Sequence, residues 1–261
     1  MEEMGLFLAG LIGGMVNSIA GGGSFITFPA LLAAGVPPIA ANATNTFASC
    51  AGYLSGAAGF RHALWTHRSQ LPRLALLAIT GGGFGAWLLL QTPPATFSRA
   101  IPWLLLLATI LLIWGEALRA RLRCLFGGRR TFSWLGGTLL VLLFWLICAY
   151  GGFFNAGLGI ILLGYLTLAG YEDIHLMNGL KLLVSALVAV MAIIVFGAGE
   201  VIAWREGSFV MIGTLEGGYG AARGAQVLGK LLVRRMIILV AAGMTVTFLS
   251  RFRQADGPVP F

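Results

Sequence analysis

The chain has 261 residues, 58% of them hydrophobic and only 10% charged, with 38 glycines and a mean hydropathy of +0.90. This composition excludes an ordinary soluble domain and places the chain in a bilayer. The net charge of +8 does not point to nucleic acid, because Lys and Arg fall between apolar runs rather than along one solvated face.

A spanning helix needs roughly 20 mainly apolar residues. In chain order, apolar segments run from Met4 to Ala20, Ser24 to Ala34, Pro38 to Phe60, Leu71 to Leu90 and Phe97 to Leu118. A second set runs from Thr131 to Phe153, Leu158 to Ala169, Ile174 to Phe196, Ser208 to Ala222 and Gly229 to Leu249. Breaks at Pro, Gly or Arg set their limits. The first run follows Glu2 and Glu3 and lacks a cleavage pattern, so it reads as a retained helix rather than a signal peptide. Cys50, Cys124 and Cys148 have neither paired nor C-x-x-C spacing and read as small apolar fillers.

The two sets of five elements read as a duplication. Gly13, Gly14 and Asn17 recur as Gly151, Gly152 and Asn155, each 138 positions later. Further on the offset becomes 135, pairing Gly35 with Gly170, Ile39 with Ile174, Gly82 to Ala86 with Gly217 to Ala221, and Arg99 with Arg234. The domain reading is an N-terminal repeat at 1–118, an Arg-rich linker at 119–130, a C-terminal repeat at 131–253 and a tail at 254–261. The linker carries five Arg and no acid, which places it in the cytoplasm.

Length decides how each repeat threads the bilayer. The 39 residues from Thr131 to Ala169 would make a helix of about 58 Å, against a hydrocarbon core of about 30 Å. The chain must therefore turn back, and the glycines between Gly151 and Gly159 are where it does so. By the repeat, Met4 to Ala34 is also a hairpin, bent at Ala20 to Gly23. Each half then crosses an odd number of times. The expected fold is an all-α polytopic membrane protein of two inverted-topology repeats, the first two elements of each forming a glycine-broken hairpin; eight spans in parallel repeats are the alternative.

Broken backbone at membrane depth must be buried in protein or line a cavity. Each break precedes a short helix whose first N–H groups lack intrahelical partners and whose dipole end is positive, which suits an anion. Candidate substrate ligands at the first break are Asn17, Gly21, Gly22, Gly23 and Ser24, and at the second Asn155, Gly157 and Gly159. A further polar group, Asn42, Thr44 and Asn45 with Thr46, opens the third element, and its counterpart is Asn178 with Lys181. A lysine among leucines in a membrane helix is expensive unless it faces a cavity or an opposite charge, which an anionic substrate supplies. Glu216, embedded in an apolar stretch, is a candidate coupling carboxylate, with a local pair to Arg223 as the alternative.

Other chemistries fit poorly. Gly81 to Ala86 matches a dinucleotide-type glycine pattern, but no βα alternation surrounds it. An intramembrane hydrolase using Ser24 would need a base, and His62, His67 and His175 all lie near helix ends. Asp173 and Asp256 lie in a loop and the tail, so no aspartyl dyad forms inside the membrane. No catalytic residue, metal site or cofactor is expected, and no P-loop for ATP is present.

At these residues the chain resembles the TauE/SafE sulfite exporter family. The resemblance rests on Gly21 to Pro29, Val36-Pro37-Pro38 and Ala41-Asn42-Ala43-Thr44-Asn45-Thr46 in the first half. In the second half it rests on Tyr150 to Gly159 and Asp173 to Lys181. Asn155 stands where many relatives carry glycine, and Gly179 where Ala is usual. The resemblance implies secondary transport, most simply export, of small sulfur-containing anions such as sulfite or organosulfonates across the bacterial inner membrane. The expected partners are that anion and the lipid bilayer, with no nucleic acid. A passive anion channel or a non-transporting membrane subunit is the alternative.

Overall fold

The computed structural model describes residues 2–20, 22–107, 109–110 and 134–224. The first half contains α1 Glu2–Ala20, α2 Ser24–Ala33, α3 Pro38–Gly59, α4 Arg61–Thr66 and α5 Leu71–Gln91, followed by α6 over 94–107. The second half contains α7 Trp134–Phe153, α8 Leu158–Leu168, α9 Ile174–Ala198 and α10 Trp204–Gly224. No strand occurs among the described residues. The sequence elements reappear nearly as expected, with α4 as an unforeseen short turn. The linker at 119–130, the last expected helix at 229–249, the tail and Gly21 lie outside the described residues.

Local chemistry explains the boundaries. Pro37 and Pro38 open α3, where a missing N–H does no harm, and the Asp173 carboxylate caps α9 by accepting the His175 N–H at 2.9 Å. The short helices α2 and α8 end alike. Gly35 and Gly170 both adopt positive φ, +80° and +88°, where glycine has no Cβ penalty. After each, the chain bonds back into the helix, Val36 to Leu31 and Tyr171 to Leu166. The two short helices thus share one kind of cap.

Helix packing crosses between the halves. α1 lies along α10, and α5 along α7, with glycines at the seam. Gly10 and Gly14 face the backbone of Val210 and Thr214, while Gly213 and Gly217 face that of Phe7 and Leu11. On the other side Gly81 and Gly85 face Trp145 and Ala149, and Gly152 faces Gly82. None of these positions has room for a Cβ, so backbone meets backbone, as in small-residue helix pairs of membrane proteins. In these seams Gly81 and Gly85 meet α7 as Gly213 and Gly217, 132 positions on, meet α1.

The directions of the helices follow from the same contacts. α1 and α10 ascend together, position 10 beside 210 and 14 beside 214, as do α5 and α7. α3 and α9 run oppositely: Gly56 meets Leu182, and Phe60 meets Gly179. Apolar side chains face outward in helical stripes, Met4, Leu8 and Ile12 on α1 and Leu139, Leu142 and Leu146 on α7, which suits lipid. Among the described helices α5 and α9 are long and apolar enough to cross a bilayer by themselves.

Candidate functional site

The polar side chains converge at the two helix breaks, around the middle of α3. That helix has 22 residues, about 33 Å, and its Asn45, Ser49 and Tyr53 are spaced one turn apart on a single face. All three are at most 5% exposed. Asn45 Oδ1 accepts the Thr27 hydroxyl from α2, which also reaches the Gly23 carbonyl at 3.3 Å. The Tyr53 hydroxyl donates to Asn155 Oδ1 at 3.2 Å, and the hydroxyls of Ser24 and Ser49 approach it. One turn before Asn45, Asn42 Nδ2 donates to the Phe153 carbonyl at 3.0 Å. Both breaks therefore meet on α3, one from each half.

What these bonds leave over matters most. Asn45 Nδ2 and Asn155 Nδ2 are buried donors with no hydrogen-bond partner, as is the Ser185 hydroxyl on α9. A buried polar group left unmade costs about 1–3 kcal/mol, and such groups in a native fold call for a ligand, ion or water. Amide donors from both breaks, on a helix face that also carries the hydroxyls of Ser49 and Tyr53, form an environment suited to an oxyanion.

The backbone contributes less than the sequence suggested. In the second break the Leu158 N–H, expected to face an anion, is bonded to the Asn155 carbonyl at 3.3 Å. The following amides of Ile160 and Ile161 bond to Gly157, and at the first break Phe25, Ile26 and Thr27 bond to Gly22 and Gly23. The breaks are tight turns that engage these six N–H groups themselves, so the buried side-chain amides carry more of the recognition than the turns do. Gly157 takes φ +81°, which permits that turn, and Gly159 is buried behind it. Ser24 is buried but caps nothing through its hydroxyl. Asn17 is 9% exposed and packs on Gly23.

Two predicted residues, Thr44 and Glu216, stand apart, while Lys181 is buried on α9, the helix that packs against α3. Thr44 turns to the start of α10, where its oxygen accepts the Ala203 N–H at 2.9 Å. Glu216 lies on the exposed face of α10 beside Leu215, and the Arg223 side chain lies outside the described residues. Lys181 is only 2% exposed, and its Nζ donates to Asn178 Oδ1 at 3.3 Å. Its neighbour Leu182 packs on Gly56, three residues beyond Tyr53. The series Asn178, Lys181, Ser185 repeats the spacing of Asn42, Asn45, Ser49, so Lys181 stands where the first half has an amide. Sequence reading missed Ser49, Tyr53 and Ser185, although their one-turn spacing from Asn45 and Lys181 was available.

A separate cavity of about 510 Å³ opens where α5, α7 and α8 begin or end, lined by Gln70, Arg73, Phe144, Tyr165 and Tyr171 among others. It holds none of the predicted residues. The side chains of the polar cluster are buried. Among the described residues no group of His, Cys, Asp and Glu is arranged to hold a metal.

The profile of the family described as sulfite exporter TauE/SafE matches residues 6–248. The chain is similar to a probable membrane transporter protein, ORF9, of a Sinorhizobium species, with 31% identity covering 94% of this chain and 91% of the relative. It is also similar to a probable membrane transporter protein of Haemophilus influenzae, at 28% identity over 92% and 91% of the two chains. A third relative, the probable membrane transporter protein YfcA of Escherichia coli K12, is 27% identical over 94% and 88%. No solved structure matches the chain. With a family match over nearly its whole length and relatives of the same size named as transporters, the chain is a multi-pass membrane protein that belongs to the TauE/SafE family.

Proposed function

We propose that this protein is a secondary transporter that exports small sulfur-containing anions, such as sulfite or an organosulfonate, across the bacterial inner membrane. The observation that carries the reading is the pair of buried amide donors without acceptors, Asn45 Nδ2 from one half and Asn155 Nδ2 from the other. A trigonal or tetrahedral oxyanion accepts from both, from Ser49 and from Tyr53, while Lys181 balances its charge nearby. A neutral amide set with one lysine favours an anion without fixing it so tightly that release becomes slow.

The two repeats are inverted relative to each other in this reading. Support comes from α3 and α9, equivalent helices that run in opposite directions, as a two-fold axis in the membrane plane requires. Reporter fusions after Arg61 and after Gly199 should then report opposite sides of the membrane; the same side at both would end the inverted arrangement.

Counterflow in proteoliposomes tests the function. Labelled sulfite should accumulate transiently against unlabelled sulfite, sulfoacetate or taurine, whichever the site accepts. A passive channel gives no such overshoot, and a non-transporting subunit gives neither uptake nor exchange. Lys181→Met should abolish anion binding in protein that still elutes as a single species; full exchange by that variant would remove Lys181 from the site.

A further inference from the structure

We infer that the bodies which move against each other during transport are two mixed helix bundles rather than the two sequence halves, and that Tyr53 is the latch between them. One bundle is α1, α2, α3 and α10; the other is α5, α7, α8 and α9. The inference rests on the transporter reading for its purpose, but its geometry is independent of the substrate.

Each bundle is welded by backbone contact between opposite halves. α1 and α10 meet through Gly10, Gly14, Gly213 and Gly217, and α5 and α7 through Gly81, Gly85 and Gly152, with no space for a Cβ at any of them. Backbone seams of this kind have no rotamers to exchange and cannot slide without collision. Hydrogen bonds add to the first bundle: Thr214 Oγ1 donates to the Ala48 carbonyl at 2.6 Å, and Ser18 Oγ to the Gly218 carbonyl at 3.3 Å. Moving the sequence halves apart would break every one of these contacts.

The boundary between the bundles is made of side chains: α3 meets α9 through Cys50, Tyr53 and Ala57 against Leu182, Ala186 and Ala189, and beside the breaks Phe28 of one bundle packs edge to face on Phe154 of the other. Small apolar side chains on crossing helices accommodate the short sliding that packed helices make. Two hydrogen bonds cross here, Asn42 to the Phe153 carbonyl and Tyr53 to Asn155 Oδ1, and both end on the α7–α8 break.

Tyr53 couples this boundary to the ligand because its hydroxyl has a single proton. When an anion accepts from the unpartnered Asn155 Nδ2, the Tyr53 proton beside it is drawn to the anion and leaves Asn155 Oδ1. Binding thus removes a tie between the bundles, which gives the ligand different contacts in the two states, as any ligand-driven shift requires.

Spin-label distances in liposomes separate the two schemes, in protein whose native cysteines are replaced. Ile12 and Leu215 are exposed and belong to different halves but one bundle, whereas Ile12 and Ile79 belong to one half but different bundles. On adding sulfite, the Ile12–Leu215 distance should stay single and fixed while the Ile12–Ile79 distance shifts or splits. The reverse result, or no change in either pair in protein that exchanges sulfite, overturns the bundle assignment. Without sulfite, Tyr53→Phe should shift the Ile12–Ile79 pair in the direction that sulfite does in the parent; an unmoved distribution overturns the latch. Sulfite counterflow on the same preparations reports the transporter reading separately, so a protein that moves as bundles but exchanges no sulfite refutes only the substrate.

Discussion

Replacing Tyr53 with Phe deletes one oxygen from a fully packed position and leaves the ring in place among Cys50, Ala57 and Ala186. In the unliganded protein the lost bond is the 3.2 Å contact to Asn155, a neutral pair that contributes about 0.5–1.5 kcal/mol. In the anion complex the lost bond is charge-assisted, about 1.5–3 kcal/mol. The difference, about 1–1.5 kcal/mol, predicts sulfite binding weakened roughly 5- to 13-fold. Equilibrium binding of labelled sulfite to purified protein in nanodiscs measures it, with elution profile as the control for folding. An unchanged Kd would show that the hydroxyl never turns to the ligand, and the exchange of partners at Asn155 would be refuted.

Three further outcomes follow from the same geometry. Asn45→Leu removes a buried donor whose unmade bond costs about 1–3 kcal/mol, so thermal stability should hold or rise while sulfite binding falls at least about tenfold. Thr27 keeps the Gly23 carbonyl as its acceptor in that variant. Gly85→Val forces a side chain into the Ala149 carbonyl and the Phe153 amide and should prevent recovery of a single folded species, whereas Gly164→Ala, with open space around it, should elute like the parent. Glu216→Gln should leave sulfite counterflow and its pH dependence unchanged, because the carboxylate is exposed and away from the polar cluster; loss of pH dependence would restore it as a coupling group.

Much of the helical plan was legible in the sequence because glycine, proline and hydropathy act locally. The breaks near Gly22 and Gly157, the matched caps at Gly35 and Gly170, and the start of α3 at Pro38 all follow from such signals. Partner choice was not legible. Whether α1 packs on a helix of its own half or on α10 depends on how glycine seams fit across about 200 residues of chain, and no local pattern encodes that. The site was readable in outline for a similar reason. Asn42, Asn45 and Asn155 declare themselves as amides in an apolar setting, but Tyr53 looks like any aromatic filler until Asn155 is placed opposite its hydroxyl. Thr44 misleads in the reverse way, since its polar atom serves the turn before α10.

The glycine seams also bear on how such a protein is made. As the first half leaves the ribosome, α1 and α5 enter the bilayer with bare glycine faces, because their partners α10 and α7 have yet to be synthesised. A folded N-terminal half is thus an incomplete object, with its α1–α2–α3 contacts formed and both glycine seams open.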